Sequence, residues 1–483
     1  MPATVERRTG APAAAPERRA GRSIDRPTAV RLAVVVGAFA AAWIVIETLG
    51  RPYTFFDMKI YHGAVVWWSK GYGLYDFVAP RVNLGFTYPP FAALVMLPMA
   101  ILPLGLAGWL NVVFSVAALA VVLAALLRPL ADRHGWPLWF TVGIAVPLAA
   151  ALEPARETLG YGQVNLLLFA LVIADLVALR WRARGGARPM ADAAPLRRFW
   201  LSGAWAGVGI GLATSIKLTP ALFIFYLMVT RQWRAAGTAI ATAIGATLVA
   251  LSVAGHETAT YFTTVLWQTD RVGDTDMTPN QSLAGVLARL YDSMETPGLL
   301  YVSFALVLLA VGITRAASAH DEGDELTAFT LVGLTANGIS PISWTHHLVF
   351  VIPAVLVLAD AALRRRAASR SFPRRLGVSS GGTSAAVSGL RSPIWFPTLT
   401  GLRHGAAALG LYLLFLISPI WMFEHRLPDV SHYQDGLFGA LMENSLAISI
   451  IVLVAALPWR PGADPVFYAE QPARAGHRPV PAP

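Results

Sequence analysis

Long apolar blocks alternate with short polar, aromatic or arginine-rich stretches from residue 29 to residue 457. The first, Val30 to Leu49, carries charge only at Arg31 and Glu47. It is long enough to cross a bilayer as a helix, which takes about 20 residues. The same pattern predicts spans near 29–49, 89–103, 105–127, 162–180, 200–214, 217–230, 235–254, 298–317, 327–341, 348–363, 405–423 and 438–457. The expectation is an all-α polytopic membrane protein with about twelve transmembrane helices. The apolar stretch 138–152 would reverse every later loop if it crossed, so it is expected to be re-entrant or interfacial and buried in protein. Behind the first span the chain turns polar and aromatic up to Asp57. Ile60, Tyr61, Ala64, Val65 and Trp68 then share one face at helical spacing. This predicts a short helix lying on the membrane, with Asp57 at its N-terminal end and Trp67 and Trp68 at the interface.

Composition agrees: 55% of residues are hydrophobic and 14% charged, which fits a polytopic protein better than a soluble one with an anchor. The formal charge of +10 comes almost wholly from arginine, since the lysines are Lys59, Lys70 and Lys217. Arginine gathered between apolar spans follows the positive-inside rule and argues against nucleic-acid binding. With no cysteine there are no disulfides, thiol nucleophiles or thiolate metal sites. Residues 1–28, rich in Ala, Pro and Arg, read as a disordered cytosolic arm, too long and polar for a cleaved signal peptide. Arginine clusters at 180–198 and 364–375, the Ser/Gly-rich linker to about 403 and the tail 461–483 also read as cytosolic. Residues 29–460 are then one membrane domain with both termini inside; Arg128 and Arg133 fall outside, against the rule. On this topology the outer face collects loops 50–88, 255–297 and 341–347 with Gly160 to Asn165, Lys217, Glu424 and His425.

Several residues there carry chemistry. Asp57 is either a helix cap or a general base within reach of a lipid headgroup. Lys217, between two apolar spans, needs an anion or water, and phosphate is the natural partner. His346 and His347 are adjacent, so on a helix they would point apart, and no His-Glu-x-x-His spacing supports a metal. Hydrogen bonding to phosphate or sugar suits one of them better. Gln163 and Asn165 either cap a helix or bind hydroxyls, Pro89 and Pro90 open a span behind Tyr88, and loop 255–297 mixes aromatics, carboxylates, Asn280 and Gln281. That mixture suits carbohydrate, and equally a solvated loop.

Taken together, Phe55-Phe56-Asp57-x-x-x-Tyr61, Gly71-x-x-Leu74-Tyr75, Gly85-Phe86-Thr87-Tyr88-Pro89-Pro90-Phe91-Ala92-Ala93, Gly162-Gln163-Val164-Asn165, Lys217-Leu218-Thr219-Pro220, Asn280-Gln281-Ser282 and Ser340-Pro341-x-Ser343-Trp344-x-His346-His347 resemble glycosyltransferase family 87 over residues 30–455. The resemblance implies a GT-C-type fold with outer interfacial helices, in an actinobacterial plasma membrane, with the active site outside the cytosol. It implies inverting α-1,2 transfer from polyprenyl-phosphate-mannose to a phosphatidylinositol mannoside, tetramannoside to pentamannoside, with no metal or cofactor. Asp57 would be the base, and Lys217 with His346 or His347 would hold the phosphate. Tyr61, Tyr88, Gln163, Asn165, Asn280, Gln281 and Trp344 would contact donor or acceptor. Lipomannan branching or arabinofuranosyl transfer would keep this chemistry with another sugar or acceptor. A lipid-linked-sugar flippase would spread charge through the midplane with repeat symmetry, whereas here it gathers on one face.

Overall fold

The computed structural model describes residues 25–51, 54–80, 84–185, 194–375, 401–424 and 430–464. The N-terminal arm, the Ser/Gly-rich linker, most of the tail, Tyr53 and His425 lie outside the described residues.

The described chain is all-α, with two isolated β-bridges, Val78 to Gly85 and Asn280 to Trp344. In order the helices are α1 (Arg26–Leu49), α2 (Phe56–Ser69), α3 (Pro90–Met96), α4 (Leu104–His134), α5 (Leu138–Ala150), α6 (Glu153–Tyr161) and α7 (Asn165–Gly185). Next come α8 (Pro195–Ser202), α9 (Val208–Ile216), α10 (Ala221–Val229), α11 (Trp233–Val253), α12 (Gly255–Thr263) and α13 (Leu283–Leu290). The last are α14 (Gly298–Asp321), α15 (Glu325–Ile339), α16 (Val351–Arg375), α17 (Leu402–Ile417), α18 (Gly436–Glu443) and α19 (Ser445–Ala456).

Four of these, α1, α4, α11 and α14, are long and apolar enough to cross a bilayer singly; counting the bent pairs α5/α6 and α18/α19 gives six. The protein is therefore a polytopic membrane protein, but several expected spans are short or broken helices. The stretch 89–103 forms the seven-residue α3 running into a 3-10 turn that contains Pro98. The stretch 200–230 divides into α8, α9 and α10, interrupted by left-handed Gly203 and Gly207 and by the Lys217–Pro220 break. Gly207 is required sterically as well: a Cβ there would lie 2.2 Å from the Ala235 carbonyl, where α9 meets α11. The new N-terminus of α9 is capped from a distance by Asp175 of α7, whose carboxylate accepts from Gly209 N at 3.2 Å and Ile210 N at 2.7 Å. The expected re-entrant stretch 138–152 becomes α5, followed by a 73° bend into α6, of which Glu153 to Thr158 are buried. Such a bend fits a re-entrant or broken span.

The main core runs through α4, α7, α10, α15, α16 and α19, with Phe169, Phe223, Phe329 and Phe350 at its centre. A smaller core gathers Ile60, Tyr61, Ala64 and Val65 of α2 against Phe86, Tyr88, Ala92 and Tyr261. The face read from the spacing of α2 is the face it buries. Where α4, α15, α16 and the segment after α19 meet, Arg460 holds Asp324 and Asp360, and Asp360 also takes Arg133 and Arg364. Arg133 thus lies with the arginine cluster 364–375, which corrects the expectation that the two face opposite sides.

Candidate active site

Asp57 lies in the first turn of α2, two residues past the cap position that Phe55 occupies. Thr54 and Phe55 enter the helix at φ +47° and +54°, a conformation that costs non-glycine residues about 1–3 kcal/mol each. The entry is held by Phe55 N–H donating to Gly160 O at 3.1 Å and by the Phe55 ring on Trp109 and Gly108. The helix dipole favours a carboxylate at this position. The side chain makes no capping bond and turns instead to Gln163, whose Nε2 donates to Oδ2 at 2.7 Å. Burial pushes the Asp57 pKa up to about 6, while the Gln163 hydrogen bond and the Lys217 charge pull it down.

Gln163 reaches Asp57 because Gly162 ends α6 at φ +74°, with Met58 Cβ 2.6 Å from where a glycine Cβ would be. The Gln163 Nε2 also donates to Tyr61 Oη at 2.8 Å, and its Oε1 accepts from Tyr88 Oη at 2.9 Å. Tyr61 Oη donates to Tyr88 Oη at 3.1 Å. Tyr75 Oη donates to the Tyr88 carbonyl at 2.8 Å, and Asn111 Nδ2 to the Gln163 carbonyl at 3.1 Å.

Lys217 sits over Tyr88, with Nζ 5.4 Å from the ring centroid in cation–π geometry. It donates to Asn165 Oδ1 at 3.2 Å, and His347 Nε2 lies 2.7 Å away. His347 Nδ1 accepts from the Trp344 backbone N–H at 3.2 Å. Both histidines are on a 3-10 turn, Thr345–His347, with ring centroids 4.6 Å apart. Burial, and next the Lys217 charge, hold both well below the usual histidine value. His346 is buried with neither ring nitrogen hydrogen-bonded. A cavity of about 50 Å³ beside Lys217 is lined by the polar Asn165, His347 and Asn337 and by the apolar Phe223 and Phe350. Apolar walls from Pro89, Pro90, Leu218, Leu248 and Phe262 enclose a second groove of about 260 Å³.

The structure thus gathers Asp57, Tyr61, Tyr88, Gln163, Asn165, Lys217, His346 and His347. Asn280 and Gln281 do not join them, which corrects the expectation that they contact substrate. Both are fully buried with every amide group spent on backbone. Asn280 takes Ser343 N–H and donates to Thr275 O and Pro341 O. Gln281 takes Ala447 N–H and donates to Thr278 O and Glu443 O. They brace the loop that carries the histidines. Trp344 contributes its backbone to His347, while its ring faces Gly273.

Sequence reasoning missed Asn111, Asn337 and Glu157, which accepts from Thr345 beside His346. The first two had a signal: a lone amide inside an apolar run.

Residues 86–341 match the model of glycosyltransferase family 87. A polyprenol-phosphate-mannose-dependent α-(1-2)-phosphatidylinositol mannoside mannosyltransferase of Mycobacterium tuberculosis is 32% identical, covering 69% of this chain and 76% of that one. A polyprenol-phosphate-mannose-dependent α-(1-2)-phosphatidylinositol pentamannoside mannosyltransferase from the same species is 31% identical over 76% of this chain and 80% of its own. A crystal structure of ArnT from Cupriavidus metallidurans bound to undecaprenyl phosphate covers 91% of this chain and 78% of that one, at 15% identity. Its TM-score of 0.34 is too low to place any residue. The family match spans the strings from Phe86 to Pro341, and the relatives carry it across most of the chain: the protein is a glycosyltransferase and belongs to glycosyltransferase family 87.

Proposed function

We propose that this chain is an α-1,2-mannosyltransferase. It moves mannose from polyprenyl-phosphate-mannose to a phosphatidylinositol mannoside, tetramannoside to pentamannoside, with inversion and on the outer side of the plasma membrane. One observation carries the reading. A carboxylate and an ammonium distant in sequence converge around Tyr88, Asp57 through Gln163 at its hydroxyl and Lys217 over its ring. That is a base beside a site for a phosphate. The activities by which both mycobacterial relatives are named support the donor and the linkage.

In the proposed step Asp57 takes the proton of the acceptor hydroxyl as that oxygen bonds to the anomeric carbon. The bond from that carbon to the phosphate oxygen breaks, and polyprenyl monophosphate leaves with the electron pair. Lys217 and a histidine meet the charge that develops on it. Neither a nucleotide sugar nor a metal is called for, since the phosphate is already a good leaving group. The apolar groove beside Leu218 suits the isoprenoid tail.

The test is transfer from radiolabelled polyprenyl-phosphate-mannose to the tetramannoside in membranes containing the protein, with polyprenyl-phosphate-arabinose as competitor. Label on a pentamannoside, unaffected by the arabinose donor, supports the reading; no product from the mannose donor sinks it. The base must be ionised, so kcat/KM should fall roughly tenfold per pH unit below the Asp57 value of about 6 and level off above it. A flat profile between pH 5 and 7 would contradict a base with that value. Lys217→Gln keeps a polar side chain without charge. It should lower kcat by about 10²–10³-fold, as loss of one preorganised donor does elsewhere. An unchanged kcat would put the phosphate elsewhere.

A further inference from the structure

Gln163, Tyr61 and Tyr88 form a closed ring of hydrogen bonds with Asp57 as its single outlet. Each hydroxyl has one hydrogen and the amide has two. Tyr61 gives its hydrogen to Tyr88, Tyr88 gives its own to Gln163 Oε1, and Nε2 gives one to Tyr61 and one to Asp57 Oδ2. A ring of this kind closes in either direction, so the tyrosines alone do not orient the amide. An ionised Asp57 does: the flipped amide would set Oε1 against Oδ2, two acceptors facing each other at hydrogen-bond distance. The described hydrogen bonds reach Oδ2 only.

We infer that Gln163 is a positioning residue, which holds Oδ2 of the ionised base and leaves Oδ1 as the oxygen that receives the acceptor proton. This rests on Asp57 being the base of the proposed transfer, and it differs from the substrate contact that the sequence suggests for Gln163. Charge-assisted bonds of this kind are short and roughly twice as strong as neutral ones. Gln163 therefore also favours the ionised form, against burial. The other groups facing Asp57 are accounted for. Lys217 acts on it as the nearby positive charge, and Tyr61 and Tyr88 are in the ring. On α6, Glu153 pairs with Arg156 and Glu157 takes the Thr345 hydroxyl. On α2 itself, Lys59 donates to Thr54 and His62 bonds the Leu102 carbonyl.

Two readouts test this together. Infrared difference titration of the purified full-length protein, with the band assigned by its loss in Asp57→Asn, follows protonation of that carboxyl without substrate. Steady-state transfer follows the reaction. Gln163→Leu removes the donor, so the infrared midpoint and the acid limb of kcat/KM should both rise by about one pH unit, a roughly tenfold change in proton affinity. The fall should lie in kcat, with acceptor and donor KM within about twofold. Gln163→Glu keeps the size and polarity, guards against a misfolded Leu variant, and should raise the midpoint further by placing a second carboxyl beside the first. An unmoved midpoint with a raised KM would overturn the inference and make Gln163 a substrate contact. A shifted midpoint in a protein whose wild type transfers no mannose would retain the positioning of Asp57 and overturn the proposed reaction instead.

Discussion

Asp57→Asn should lower mannose transfer by about 10²–10⁴-fold, the usual worth of a general base, while the protein accumulates and melts like wild type. The substitution isolates basicity from geometry. Asparagine has the shape of aspartate, and its carbonyl oxygen still accepts the Gln163 N–H that Oδ2 now takes at 2.7 Å. The entry into α2 does not depend on the carboxylate either, because Phe55 is tied to Gly160 through its backbone and to Gly108 and Trp109 through its ring. Removing a charge that burial already disfavours leaves stability equal or slightly higher. Asp57→Glu is the complementary variant. It keeps the base but moves it by one methylene, into space filled by Gln163, and should retain a measurable fraction of activity. Radiolabel transfer to the tetramannoside, normalised to protein abundance, decides both. Undiminished transfer by the asparagine variant would remove Asp57 from the mechanism.

How much of this was legible in the sequence depended on whether the signal was local. The spacing of Ile60, Tyr61, Ala64 and Val65 is local, and it yielded both the α2 helix and its buried face. Lys217 stood out because a lysine between apolar blocks has few harmless explanations. Gln163 and Asn165, two residues apart, read alike as amides at a boundary. The structure gives the first to Asp57 and the second to Lys217, because left-handed Gly162 ends α6 and α7 starts afresh at Asn165. Nothing in the local pattern names partners that far along the chain. Asn280 and Gln281 misled for the opposite reason. Amides suit sugars, but equally suit backbone groups that a buried loop would otherwise leave unpaired. Hydropathy overstated the unbroken spans, since it does not register that Gly203, Gly207 and Pro220 interrupt helices whose ends need capping. Asp175, a carboxylate in an apolar run, supplies such a cap to a helix from another part of the sequence.

Arg460→Ala should be the most damaging single change away from the candidate site, costing about 3–5 kcal/mol, the usual loss when one partner of a buried ion pair is removed. Arg460 approaches Asp324 with Nε at 2.9 Å and Nη2 at 2.6 Å, and reaches Asp360 with Nη1 at 2.8 Å. The segment around it lies along the turn before α15, with Gly462 N–H on the Glu322 carbonyl and Asp464 N–H on the Gly323 carbonyl. The two carboxylates are not equally exposed to the loss. Asp360 would keep Arg133 and Arg364, whereas Asp324 would keep the N–H and hydroxyl of Thr327 and the backbone N–H of residue 460 but lose its cation. Adding Asp324→Asn to Arg460→Ala should therefore restore part of the stability, and adding Asp360→Asn should restore less. The pH dependence has a definite sign. Burial pushes Asp324 up, but the charge and hydrogen bonds of Arg460 outweigh it and hold the carboxyl below its ordinary value. A lowered value means that the pair stabilises the fold above the ordinary aspartate range and loses that contribution as pH falls through it. Thermal unfolding of detergent-purified protein should thus show wild type and Arg460→Ala far apart at pH 7 and converging towards pH 3. A gap that stayed constant over that interval would mean that Arg460 acts through packing of its side chain and not through the charge it shares with Asp324.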